Sequence, residues 1–399
     1  MSVDIRRFVP FFDLSVSKWA WEARLLRWLT VLWLIVGLLM LYSASYSIAI
    51  VEHGDGLYYF KRQCLWAIVG LLGFNFAIHT PLRSWLKIAP TMVLGFLGLL
   101  ALVLVPGLGT TVNGATRWIS IGIVPIQPSE LIKPFLILQA ANLFGRWNRI
   151  DLKIRLIWIG IWGLVLVGIL LQPNLSTTAL CGMMLWLMAL AAGLPYQLLG
   201  GTAAAGLILA TLSVGINEYQ RRRILSFLNP WATPDGDGYQ LIQSLLAIAS
   251  GGSWGTGFGL SQQKLFYLPI QYSDFIFSVF AEEFGFLGSV ALLLLLATYG
   301  TLALLVAFKA KNLVYQLVAI GVMIIMVGQS LVNMSVATGI LPTTGLPLPL
   351  FSYGGSSLIA SLLTAGLLIR VARESGKAKV IDMNRSRVES KRISPRIQS

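Results

Sequence analysis

The chain has 399 residues, 56% of them hydrophobic and only 12% charged, with a formal net charge of +14. An ordinary soluble domain carries about 25% charged residues, so a water-surrounded globule is excluded. The basic excess falls in short loops and the tail rather than on an aromatic-lined face, which excludes a nucleic-acid binder.

Residues 1–26 mix Asp4, Arg6, Arg7, Asp13, Lys18, Glu22 and Arg24 with Phe8, Phe11, Phe12, Trp19 and Trp21. That pattern predicts a segment lying on the membrane surface, with no cleavable leader. Ten apolar runs follow, near 27–49, 63–80, 85–105, 129–145, 154–171, 175–193, 197–216, 274–308, 314–340 and 354–373. Each approaches the length a helix needs to cross a bilayer, and no short alternating strands of the barrel type occur. An even number of spans puts both termini on one side. Lys and Arg in the N-terminus, 80–87, 145–155, 309–313 and the tail mark that side as the cytoplasm. The expected fold is therefore all-α: a polytopic membrane domain of about ten helices over 27–375, with a large extracytoplasmic loop, 217–273, between helices 7 and 8. A basic cytoplasmic tail, 376–399, is expected to lack regular structure. Cys64, Cys181, His53 and His79 stand apart and suggest neither a disulfide nor a metal site.

Three segments on the outer side, 106–128, 217–273 and 341–355, are rich in Gly, Pro and aromatic residues and are expected to roof a cavity. Arg117 lies in the first. SELIKP places Glu130 and Lys133 three residues apart on one helix face, as an ion pair that can also line a polar cavity. Arg221, Arg222 and Arg223 break the positive-inside pattern; they either anchor lipid headgroups or attract an anionic phosphate group. LPIQYSDFIFSVFAEEFG then brings three carboxylates into an apolar run. Asp274 falls at the start of the eighth span, either as a capping carboxylate favoured by the helix dipole or facing the roofed cavity. Glu282 lies about 12 Å deeper and Glu283 points to the opposite face, so both are expected to meet basic or backbone partners on other helices. A single carboxylate at a cavity mouth suits general-base work on an attacking hydroxyl, provided the leaving group is a phosphate or pyrophosphate stabilised by cations. In PLPLFSYGGSS, the hydroxyls of Ser352, Tyr353, Ser356 and Ser357 belong either to a re-entrant turn or to a polar wall of the substrate site.

The stretches NGATRWISIGIVPIQPSELIK, QPNLSTT, GYQLIQSLLAIASGGSWGTGFGLSQQKLFYLP, DFIFSVFAEEFGFLG and GLPLPLFSYGGSS, in that order, resemble the SEDS (shape, elongation, division and sporulation) family of bacterial membrane proteins. GFGLSQQKLFYLP and LPTTGLPLPLFSYGGSS look closer to its division-type than to its elongation-type members. The resemblance implies a ten-helix peptidoglycan glycosyltransferase in the bacterial cytoplasmic membrane, at the division septum. Such an enzyme polymerises undecaprenyl-pyrophosphate-linked lipid II at the outer face into β-1,4 glycan by one inverting displacement. By the same match Asp274, in the DFIF motif, is the catalytic general base, and Arg117, Lys133 and Lys264 hold the pyrophosphate. The substrate-binding set also takes in Glu130, Arg221, Arg222, Ser352, Tyr353 and Ser356. The implied partners are a single-span class B penicillin-binding transpeptidase and other divisome proteins. No cofactor is required by the match; a divalent cation, Mg2+ or Mn2+, can assist the pyrophosphate, although the sequence shows no ligand set for one. The chain departs from the family pattern at Ile270 and Tyr272, where a Glu and a His are usual, and at Asn174 and Ser176, where Asp and Gly are more frequent. The competing readings are a lipid II flippase, an elongation-type polymerase and a non-catalytic division scaffold.

Overall fold

The computed structural model describes Val16 and residues 19–112, 115–122 and 124–393, so most of the expected surface segment 1–26 lies outside the described residues. The chain runs α1 (Trp21–His53), α2 (Tyr58–His79), α3 (Leu82–Val103), β1 (Gly109–Val112), β2 (Ala115–Ile121), β3 (Val124–Ile126), α4 (Pro128–Leu131) and α5 (Lys133–Phe144). It continues through α6 (Leu152–Leu170), α7 (Leu175–Ala191), α8 (Tyr196–Ile216), α9 (Glu218–Leu228) and α10 (Tyr239–Gly251). The last elements are α11 (Ile276–Phe308), α12 (Leu313–Met323), α13 (Gln329–Ala337) and α14 (Gly355–Ile393). A π-helical turn, Ile324–Gly328, joins α12 and α13 into one span.

All ten expected spans are helical. Among the described residues, 7 stretches are long and apolar enough to cross a membrane on their own. The other three expected spans have visible reasons to fall short of that measure. Lys61, Arg62 and Gln63 open α2; α4 and α5 are separated at Ile132; and α7 is only 17 residues long. Lipid is nonetheless the surrounding medium. Helix α8 buries only Leu199 and leaves Leu207 70% and Ile216 85% exposed. An apolar helix so free of protein neighbours is stable only where hydrocarbon covers it. The chain is thus a multi-pass membrane protein.

Two parts differ from expectation. The outer segment 106–128 contains a three-stranded antiparallel sheet, with Thr110 opposite Trp118 and Ile119 opposite Ile126. Its strands are rich in the β-branched Thr, Val and Ile that suit a pleated surface. The basic tail, expected to lose structure from residue 376, is helical as far as Ile393. Residues 377–393 are mostly good helix formers and contain neither Gly nor Pro.

The outer segments meet one another: Arg117 on β2 bonds the carbonyls of Gln172 and Pro173, Arg223 on α9 reaches Thr343, and the Gln127 amide donates to Ser356 Oγ. At the opposite face the segment just before α1 meets α14. The Arg373 guanidinium lies 4.0 Å from the Trp19 ring centroid and donates to Ile78 O, while Lys309 pairs with Glu22.

Helix α11 is broken at Gly285, whose φ of 65° and ψ of −162° lie outside the helical range. The interruption frees backbone groups that lipid could not satisfy. The loop after α10 takes them over: the amides of Thr256 and Gly257 donate to the carbonyls of Glu282 and Glu283, and those of Phe286 and Leu287 donate to Gly252 and Ser253. The fit needs glycine on both sides, because a Cβ on Gly285 would stand 2.3 Å from the Gly255 nitrogen. The motif GGSWGTG is explained by this close backbone approach.

Candidate active site

Asp274 precedes the first residue of α11 by two positions, in the turn that leads into it. Buried groups hold that turn from below. Asn333 on α13 donates from Nδ2 to Asp274 O at 2.8 Å and to Leu346 O at 2.9 Å. Ser352 donates to Ser273 O at 2.6 Å and accepts from the Leu348 amide at 2.8 Å. The Tyr353 amide donates to Tyr272 O at 2.9 Å. The segment 346–353 therefore clamps residues 272–274, and the carboxylate is aimed by these backbone bonds together with donation from Ser273 Oγ to Oδ1 at 3.2 Å.

Opposite the carboxylate stand two arginines. Arg117 is oriented by donation from Nε to Gln172 O at 3.0 Å and from Nη2 to Pro173 O at 2.5 Å, while Arg223 Nη1 donates to Thr343 O at 3.2 Å. Both line a cleft of about 250 Å³ together with Asn174, Ser176, Gln220 and Gly345. Gly345 shows how near the two charges come. A Cβ there would stand 3.6 Å from Arg117 Nη1 and 3.7 Å from Asp274 Oδ2. A carboxylate and a guanidinium thus face one small space that a side chain at 345 would fill.

Burial pushes the Asp274 carboxyl above the usual carboxylate range; Arg223, the Ser273 hydroxyl and Arg117 oppose that rise. Asp274 can therefore accept a proton at neutral pH more readily than a surface aspartate. The arginines can offset negative charge on a leaving group.

The other candidates are distributed differently from the sequence expectation. Lys133 is only 2% exposed and donates to Glu130 Oε1 at 2.6 Å and to Gln329 Oε1 at 3.0 Å. Gln329 in turn donates to Pro347 O at 2.7 Å, so this pair supports the clamp from behind. Lys264, expected at the pyrophosphate, is instead committed to Glu283 at 2.7 Å and Ser43 at 2.8 Å, which neutralises a carboxylate that lipid would not tolerate. Glu282 accepts from Ser261 and the Gln262 amide, so both deep glutamates meet basic and backbone partners, but these come mainly from the loop stretch 261–264, with only Ser43 on another helix. Of the arginine triplet, Arg221 and Arg222 are exposed, Arg222 paired with Glu218, and the third, Arg223, lines the cleft. A helix shows different residues to different sides, so three consecutive arginines cannot share one target.

Ser352 and Ser356 spend their hydroxyls on the frame rather than on a substrate wall. Tyr353 packs edge-on against Tyr59, at 5.0 Å, and Tyr272 stacks on the same ring at 4.6 Å. Tyr272 therefore builds an aromatic cluster at the position where the resembled family usually has His. Ile270 sits at φ 55°, an uncommon setting for a β-branched residue, and nothing around it explains the choice. Asn174 caps α7 by accepting from the Thr177 amide at 3.2 Å, a task Asn and Asp share. No group of three or more His, Cys, Asp and Glu that could hold a metal occurs among the described residues. Arg117 and Arg223 line the cleft, no carboxylate is among its lining residues, and Asp274 Oδ2 approaches it only beside Gly345, a donor set that does not match the oxygen ligands of a resident divalent cation.

A family model described as a cell cycle protein, FtsW/RodA/SpoVE, matches residues 23–377. The chain belongs to this family. It is 55% identical over 379 residues to the probable peptidoglycan glycosyltransferase FtsW of Synechocystis sp., covering 95% of this chain and 96% of that protein. It is 36% identical over 353 residues to the stage V sporulation protein E of Bacillus subtilis, covering 87% and 96%. Solved structures share the FtsW/RodA/SpoVE fold. One belongs to a peptidoglycan synthase complex described for the structural coordination of polymerization and crosslinking, with a TM-score of 0.72 and 32% identity over 90% of this chain and 98% of that one. The Thermus thermophilus rod shape determining protein RodA follows, with a TM-score of 0.65 and 29% identity over 90% and 97%.

Proposed function

We propose that this FtsW/RodA/SpoVE member is an inverting peptidoglycan glycosyltransferase that polymerises lipid II for septal wall synthesis, at the outer face of the bacterial cytoplasmic membrane. The observation behind this reading is the placement of Asp274 Oδ2 and Arg117 Nη1 against the same open side of Gly345. In the reaction the acceptor's GlcNAc 4-hydroxyl gives its proton to Asp274 as its oxygen bonds to the donor's MurNAc C1. The C1–O bond to phosphate breaks, and undecaprenyl pyrophosphate leaves with the electron pair. Arg117 and Arg223 stabilise the leaving charge. Attack opposite an α-linked pyrophosphate gives the β-1,4 product. The residues themselves complete this scheme, and no step runs through a metal ion.

Both termini then face the cytoplasm, in keeping with the basic residues at that face. The partner is a single-span class B penicillin-binding transpeptidase within the divisome; the relatedness to a chain of a peptidoglycan synthase complex supports it. The test is polymerisation of labelled lipid II by the purified chain with that transpeptidase. Wild type is expected to make glycan strands and Asp274→Asn none; strands made by Asp274→Asn at the wild-type rate would sink the general-base assignment. Lipid scrambling in liposomes that survives the substitution, without polymer from wild type, would favour a flippase. Depletion in cells is expected to give filaments; rounded cells would point to elongation instead.

A further inference from the structure

A second, larger cavity lies at the face opposite Asp274, where α5, α6, α7, α8 and α12 all end or begin. Its volume is about 1210 Å³. Arg146, Arg149 and Arg155 line it, together with Asn142, Trp147 and Leu194. Nothing in the transferase chemistry uses it.

Its charges are not spent internally. Among the described residues neither Arg146 nor Arg149 makes an ion pair. Arg155 is held in place, its guanidinium 4.9 Å from the Trp147 ring centroid and its Nε donating to Ile150 O at 2.7 Å. Asn142 Oδ1 is closed to solvent and has no hydrogen-bond partner. The site thus gathers cationic donors around an open cavity. Around it the surface is apolar: Leu152 is 65% and Tyr196 84% exposed, on the two helices that flank the opening.

We propose that this cavity binds the headgroup of an anionic phospholipid, of the phosphatidylglycerol class, from the leaflet at that face. The phosphate meets Arg146 and Arg149, and the acyl chains lie along the exposed apolar starts of α6 and α8. Arginine forks suit phosphate oxygens, and basic pockets between membrane helices at the cytoplasmic side bind acidic headgroups. A free phosphate compound offers the same anion but has no use for the apolar flanks, so the lipid is favoured. The leaflet is the cytoplasmic one under the orientation given above; the binding does not depend on the transferase reading.

Native mass spectrometry of the detergent-purified full chain tests this, with dioleoylphosphatidylglycerol, dioleoylphosphatidylcholine or glycerol 3-phosphate added in turn. Wild type is expected to retain phosphatidylglycerol in preference to phosphatidylcholine. The double variant Arg146→Gln/Arg149→Gln, altered at two exposed side chains and so expected to fold, should retain about tenfold less. Lys87→Gln, which removes a charge at the same face but outside the cavity, should bind as wild type does. Equal retention by the double variant, or an equal loss in Lys87→Gln, would overturn the site. Displacement of the lipid by equimolar glycerol 3-phosphate would overturn its assignment to a lipid.

Discussion

Asp274 is governed by opposed neighbours, since burial raises its carboxyl while Arg223 and Arg117 pull it down. A general base must be ionised, so the rate falls as pH drops through its pKa. Removing a cation disfavours the ionised form and raises that pKa further. Arg223→Gln is therefore expected to move the acidic limb of the kcat/KM profile to higher pH, as well as lowering the rate. A limb that stays in place would remove Arg223 from the neighbourhood of the base. Gly345 supplies a steric counterpart. Gly345→Ala adds a carbon at ordinary contact distance and should keep most activity, whereas Gly345→Leu should abolish polymerisation with the thermal midpoint unchanged. Equal activity of the two would show that the space is not used. Asp274 drew notice as a carboxylate in an apolar run, whereas Arg117 drew it only from its place in the outer segment 106–128 and from the family resemblance. Asn333 was not singled out, although a lone amide inside a span also needs partners. The choice of Arg223 over Arg221 and Arg222 depends on the direction of α9, which three identical residues do not reveal.

Elements were legible where one period dominates: each expected span is a helix in the structure. The exceptions arise where backbone bonds leave the local pattern. The sheet depends on pairing between distant strands, and the break in α11 depends on a loop some thirty residues earlier in the chain. The short helices α4 and α5 carry the Glu130–Lys133 pair, spaced as read from SELIKP but turned inward. Lys133→Ala would leave Glu130 buried without its cation and is expected to cost about 3–5 kcal/mol, measured as a lower thermal midpoint in detergent. Glu130→Gln/Lys133→Met removes both charges and should recover much of that loss. If the double variant is stable and still polymerises, the pair serves only to support the clamp. If it is stable but inactive, Lys133 acts on the substrate.

Across the whole molecule, counting spans and basic residues sorts the segments onto two faces, and the contacts between segments follow that sorting without saying which face is cytoplasmic. Roof segments bond to roof segments, while Trp19, near one terminus, lies under Arg373, near the other. Arg373 ties the segment before α1 to α2 and α14 by its contact with Trp19 and its bond to Ile78 O. Arg373→Ala should therefore lower stability by about 1–3 kcal/mol without altering the pH profile. A shift in that profile would mean that the two faces are coupled.

The break at Gly285 has a mechanical consequence. Residues 276–284 form a short stiff rod, roughly 13 Å long, with Asp274 at its tip and a joint at its base. The loop 252–257 is the bearing in which that joint sits. A tilt of about 5° there swings the tip by roughly 1 Å, a misplacement that can cost a hundredfold in rate. Whatever leans on the exposed Trp254 in that loop thus holds a lever on the Asp274 carboxylate.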